Sequence, residues 1–135
     1  IILDHFGGPL GLGQYAGRRD EVFEVWKERI ARLAACPNVH AKLGGLNMDV
    51  NGFHWEERAK APSSTELTDA TRRYFDFTIE KFGVERCMFE SNFPVDRFSL
   101  SYRTFWNAAK RIAAAYDADE QEAMFRATAT RVYSL

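Results

Sequence analysis

The chain has 135 residues, 46% of them apolar, which is enough for one compact core and too little for two. Its 18 basic and 19 acidic side chains leave a formal charge of -1 and are mixed in sign, a balance that favours neither nucleic acid nor an anionic membrane. No apolar stretch has the length of a membrane span.

Taken in chain order, Ile1-Ile2-Leu3 is a short apolar run closed by Asp4-His5 and then Phe6-Gly7-Gly8-Pro9. Apolar run, polar tip and glycine turn is how a parallel strand ends in an α/β protein. The run reads as the middle of a buried strand with no Met before it, so the chain is expected to be a piece of a longer protein. Residues 10–19 read as a Gly-rich loop. A helix is predicted over 20–35, where Val22, Phe23, Val25, Trp26, Ile30, Leu33 and Ala34 recur at helical spacing. Asp20 is its expected N-cap, and Cys36-Pro37 its stop.

A second strand is predicted over 38–44, through Val39-His40-Ala41-Lys42-Leu43, ended by Gly44-Gly45. Residues 46–62 form a long loop with His54, Trp55 and the charged run Glu56-Glu57-Arg58; loops of this length in a compact domain are functional or disordered. Ser63 with Glu66 three residues on is a capping box. The helix it opens carries Leu67, Tyr74, Phe75, Ile79 and Phe82 on one face, and Gly83 closes it. A third strand is predicted over 86–91, through Arg86-Cys87-Met88-Phe89, with Glu90-Ser91-Asn92-Phe93-Pro94 as its polar end and turn. A helix over 99–115 turns Phe105, Trp106, Ala109, Ile112 and Ala113 inward, and a last one starts at Asp117 or Asp119. Strands alternating with helices predict three parallel strands adjacent in chain order, with right-handed crossovers and the helices on one outer face.

In such folds ligands bind at the carboxyl ends of the strands. Three polar groups stand there: His5, the segment from Lys42 to Gly45, and Glu90-Ser91-Asn92. His5 is the best candidate for acid/base work, because its free pKa lies near neutrality; the alternative is a histidine bonded to its own loop. His54 and Trp55 suit a lid over a small polar molecule, or else a solvent-facing loop anchored by Trp55. Asp4 and Asp96 flank strand ends without a clear carboxylate partner, so a glycosidase-like pair has little support. Cys36 and Cys87 form no CxxC pair and read as two reduced, partly buried thiols of a cytoplasmic protein.

Three segments carry a family resemblance. They are Ile2-Leu3-Asp4-His5-Phe6-Gly7-Gly8-Pro9, then Asn38-Val39-His40-Ala41-Lys42-Leu43-Gly44-Gly45-Leu46, then Arg86-Cys87-Met88-Phe89-Glu90-Ser91-Asn92-Phe93-Pro94-Val95-Asp96. In order and spacing they resemble strands 6, 7 and 8 of the amidohydrolase-related (β/α)8-barrel hydrolases, which include 2-pyrone-4,6-dicarboxylate lactonase, sugar lactonases and aminocarboxymuconate semialdehyde decarboxylase. The ending, Met124 to Tyr133, resembles the family's terminal helix. The resemblance spans essentially the whole chain.

The resemblance implies that residues 1–135 are the C-terminal part of a TIM-barrel domain whose N-terminal half lies outside them, and that this part alone is inactive. It implies a hydrolase of a small lactone, ester or amide in catabolism. A decarboxylase on the same scaffold and a non-catalytic ligand-binding barrel are the alternatives. His5 would face the reacting carbonyl or attacking water, and Asn92 would orient water or substrate. From their places at the strand ends and in the long loop, rather than from the resemblance, Lys42, His54 and Trp55 would contact substrate, and Glu90 would support the site. The implied cofactor is a divalent metal such as zinc. Asn92 stands where the family has Asp, however, and an amide is a weak neutral ligand and no general base. The implied partners are a small-molecule substrate, the missing half of the barrel and, as one option, a second copy of the chain.

Two physical expectations follow from strand alternation and edges. Lys42 and Glu90 fall on the interior face of neighbouring strands at similar depth, so each needs the other as an ion pair, unless one points outward. A three-stranded sheet also leaves two open edges, so the chain alone is expected to aggregate or stay molten.

Overall fold

The computed structural model describes residues 1–135. Three short strands form one parallel sheet in the order β1 (Ile2–Leu3), β2 (His40–Leu43), β3 (Cys87–Phe89). The register pairs Ile2 with His40, Leu3 with Ala41, Ala41 with Cys87 and Leu43 with Phe89. Helix α1 (Arg19–Ala34) joins β1 to β2, and α2 (Ser64–Phe82) joins β2 to β3. Helix α3 (Tyr102–Ala113) follows, then α4 (Ala118–Glu122), which runs through a π turn at Ala123–Ala127 into α5 (Thr128–Tyr133). No helix is long and apolar enough to cross a membrane.

The predicted parallel order and the alternation of strand and helix are both present. Ala41, Leu43, Cys87 and Phe89 join one continuous core with Trp26 and Ile30 of α1, Tyr74 and Phe75 of α2, and Phe105 and Ile112 of α3. The helices therefore cover one face of the sheet. On β2 the burial alternates: Ala41 and Leu43 are buried under the helices, while His40 and Lys42 on the other face are half-buried. The helix start read from the Ser63 capping box holds. Ser63 accepts from Glu66 N while the Glu66 carboxylate accepts from Ser63 N, and Asp117 with Glu120 repeats the arrangement, which selects Asp117 over Asp119.

Three expectations change. Asp20 is not the N-cap of α1: the helix starts at Arg19 behind Arg18, with no side-chain cap. Asp20 instead lies in the first turn, where a carboxylate favours the helix dipole, and it accepts from Arg73 at 2.7 Å. The strands are shorter than read, because the chain leaves the sheet as soon as the polar tip begins. His5 sits in a 3-10 turn (His5–Gly7) just past β1, with φ of +52° at His5 and +54° at Phe6, a backbone that no ladder accommodates. The cysteines are free but unequal. Cys36 is exposed, whereas Cys87 is buried, and burial pushes its thiol up to about 12, which leaves it unreactive.

The outer edge of β1 has no partner strand. Beside it runs an apolar groove of about 600 Å³, lined by Leu3, Phe6, Val22, Trp26, Ile30 and Leu33 among others. It lies between the sheet edge and α1.

Candidate active site at the strand ends

The segments following the three strands meet at their carboxyl ends. Phe6 anchors the first. Its ring is fully buried edge-on to Phe75, centroids 4.8 Å apart, and the Trp26 indole Nε1 donates to its carbonyl at 2.6 Å. Those contacts hold the left-handed turn, which aims His5 across the sheet toward β3. There His5 Nδ1 lies 2.7 Å from Glu90 Oε1. Non-glycine residues with positive φ are uncommon and gather at functional sites, because packing must offset their strain. His5, Phe6 and Asn92 are three of the five here.

Close approach explains the double glycine after β2. A Cβ on Gly45 would stand 2.3 Å from His5 Nδ1, and one on Gly44 would stand 2.1 Å from the Glu90 carbonyl oxygen. Neither distance is sterically allowed, so any side chain at either position would push the first and third strand ends away from the middle one.

The predicted Lys42–Glu90 ion pair is formed, Nζ to Oε2 at 3.2 Å. Lys42 also reaches Asp4 Oδ1 at 3.1 Å, a partner the sequence did not suggest. Burial works against the Lys42 ammonium, but the bonds from Asp4 and Glu90 outweigh it and hold its pKa above the ordinary lysine value. Each Glu90 oxygen thus has one partner, His5 on one side and Lys42 on the other.

Asn92, at φ +53°, donates from Nδ2 to Asp96 Oδ1 at 2.7 Å. Asp96 is fully buried, and Asn47 Nδ2 donates to its other oxygen at 3.0 Å. Ser99 in turn donates to the Asn47 carbonyl. Burial raises the Asp96 pKa, against the two amide hydrogen bonds. Sequence reading missed this cluster. The spacing of Asn92 and Asp96 hinted at it, but Asn47 is 49 residues from Asp96 and gave no local signal.

The long loop divides the two residues singled out on it. Trp55 is buried and stacks on Phe53, ring centroids 5.8 Å apart, so the ring anchors the loop. His54 is exposed and pairs with Glu57 at 3.0 Å. The loop is tied to the one after β1: Asn51 Nδ2 donates to the Pro9 carbonyl at 2.8 Å, and Gly11 N to the Val50 carbonyl at 2.8 Å.

The family model described as amidohydrolase matches residues 1–135. The chain belongs to the amidohydrolase family. Among curated relatives it is 36% identical over 133 residues to the uncharacterized protein y4mH of Sinorhizobium fredii, matching 98% of this chain and 38% of that one. It is 31% identical over 136 residues to an L-fucono-1,5-lactonase of Burkholderia multivorans, matching 100% of this chain and 43% of the lactonase. It therefore spans about two-fifths of the relatives' length. A crystal structure of a Burkholderia multivorans amidohydrolase with bound HEPES superposes with a TM-score of 0.82 at 29% identity, over 99% of this chain and 44% of that one. A second crystal form, with bound zinc, gives a TM-score of 0.80 at 29% identity, over 99% of this chain and 43% of that one.

The amidohydrolase donor set in this chain does not by itself make a zinc site. Both Glu90 oxygens and both Asp96 oxygens already accept from neighbouring groups, and Asp4 faces Lys42. That leaves His5 Nε2 and the Asn92 amide oxygen, fewer than the three protein ligands of a catalytic zinc, and beside an ammonium group. Three donors do gather at His54, Glu56 and Glu57, but on the exposed loop.

Proposed function

We propose that this chain carries the hydrolytic mouth of a lactonase, formed by strands 6, 7 and 8 of a (β/α)8 barrel whose remaining strands cover the open edges of the sheet. One observation carries the reading: the His5–Glu90 contact at 2.7 Å, with Lys42 on the second carboxylate oxygen. Glu90, ion-paired with Lys42, accepts from His5 Nδ1–H. That choice of tautomer leaves a lone pair on Nε2, as a general base requires. Nε2 takes a proton from water while the water oxygen bonds to the lactone carbonyl carbon. As the tetrahedral intermediate collapses, the ring C–O bond breaks, and His5 returns the proton to the leaving alkoxide. The product is a hydroxy acid.

The other predicted residues fall into supporting roles in this scheme. Lys42 has three donors, two of them used by Asp4 and Glu90, and the third is free for a substrate oxygen. Asn92 orients the water or substrate without taking its proton. His54 contacts substrate from the loop that Trp55 anchors. The substrate class is a small sugar lactone, supported by the likeness to an L-fucono-1,5-lactonase.

The test is hydrolysis of L-fucono-1,5-lactone and related 1,5-lactones by the full-length protein. His5→Ala should lower kcat/KM by roughly 100-fold or more, the scale of a lost general base. Wild-type kcat/KM in that variant would end the assignment.

A further inference from the structure

Asp96 has an uncommon environment for a carboxylate. It is fully buried, yet no lysine, arginine or histidine forms an ion pair with it. Its two oxygens are taken up by two side-chain amides, Asn92 Nδ2 at 2.7 Å and Asn47 Nδ2 at 3.0 Å. Burying a charge without a cation is costly, and a neutral amide or an apolar residue in the same space would cost the fold less. What a carboxylate provides and an amide does not is direction. When ionised it only accepts, so it admits the NH2 end of a neighbouring amide and refuses the oxygen end.

An asparagine amide is otherwise nearly symmetric in shape, and the backbone leaves its flip open. With Nδ2 bound to Asp96, the Asn92 oxygen must face the opposite way, and no group of the chain takes it up. The Asp96 N–H also donates to the Asn92 carbonyl at 3.1 Å, so both ends of residue 92 are held by residue 96. Asn47 steadies the carboxylate from the other side, and Ser99 fixes Asn47.

We propose that Asp96 is a positioning residue, which holds the Asn92 amide in one orientation so that its oxygen, not its NH2 group, faces the reacting water or substrate at the strand ends. This rests on the hydrolytic reading for its consequence in turnover. The orientation itself does not depend on that reading. In the scheme above, the Asn92 oxygen accepts a hydrogen bond from the water whose second proton goes to His5. A flipped amide would offer a donor there and turn the water's lone pair away from the carbonyl carbon.

The experiment uses the full-length protein and two readouts. In Asp96→Asn, residue 96 can present either end of its amide, so the direction is lost while size is kept. We expect a folded variant with kcat on L-fucono-1,5-lactone lowered by at least about tenfold and KM changed much less, as for a misplaced reacting group. A purely structural role predicts a lowered melting temperature with kcat unchanged, and that result in a folded Asp96→Asn variant overturns the proposal. The second readout needs neither turnover nor a variant: the side-chain NH2 of Asn92 in nitrogen-15 spectra. One of its protons should exchange slowly with water in the wild type. Fast exchange of both protons overturns the proposal even if Asp96→Asn does not fold. Slow exchange in a protein that hydrolyses none of the lactones would retire the lactonase reading and leave the positioning intact.

Discussion

The Lys42–Glu90 pair gives the sharpest energetic prediction. The perturbations are Lys42→Met, Glu90→Gln and the two combined. At 3.2 Å and an effective dielectric constant of about 20, the gross attraction is about 5 kcal/mol. Desolvation offsets much of it, because the side chains are only 24% and 16% exposed. Asp4 at 3.1 Å adds little, since it is 57% exposed and screened by water. Lys42→Met leaves Glu90 in a half-buried site with only His5 beside it, and should cost about 2–3 kcal/mol, below the ~3–5 kcal/mol of a fully buried pair. The double variant leaves no orphaned charge in the half-buried site, only the exposed Asp4, and should cost about 1 kcal/mol less than Lys42→Met alone. The assay is urea unfolding at neutral pH, read as a double-mutant cycle. Additivity of the two single effects within about 0.5 kcal/mol would refute the coupling. The pH dependence has a fixed sign. The folded-state pKa of Lys42 is raised, so its contribution is complete below the ordinary lysine pKa and is lost as pH climbs through the raised value.

Gly45→Ala should cost roughly 1–3 kcal/mol from its positive φ alone and should also displace His5, seen as loss of activity beyond the stability effect. Glu90→Gln should lower kcat more than it raises KM and should change the pH profile, because the amide no longer selects the His5 tautomer; an unchanged profile would remove Glu90 from the mechanism. The folded-state pKa of Asp96 is raised by burial, so its contribution to stability falls as pH rises from the ordinary aspartate range through the raised value; in paired melts the wild type should show this loss and Asp96→Asn should not. Residues 1–135 alone should bind a hydrophobic dye and aggregate, since the outer edge of β1 is unpaired and the groove beside α1 exposes Val25 and Leu33; a sharp cooperative melt of a monomer would contradict this.

What the sequence by itself determined is what local chemistry determines. Period and punctuation placed three strands and their helices, because apolar spacing and the capping box at Ser63 act within a few residues of one another. Alternation along two strands was enough to bring Lys42 and Glu90 together, because a parallel sheet fixes which side chains share a face. The same reasoning put His5, Glu90 and Asn92 at one end of the sheet. Only the tertiary structure decided how those groups are used. The left-handed turn at His5 and Phe6 is stabilised by Trp26 and Phe75, far along the chain, and no local preference would choose it. The need for glycine at 45 comes from the His5 ring lying against it across the strand ends. The Asp96 carboxylate has its meaning from Asn47 and Asn92 meeting on its two buried oxygens, and Asp20 lost the cap to an uncapped start one residue earlier. Those outcomes depend on which distant surfaces bury one another, and burial is a property of the assembled fold.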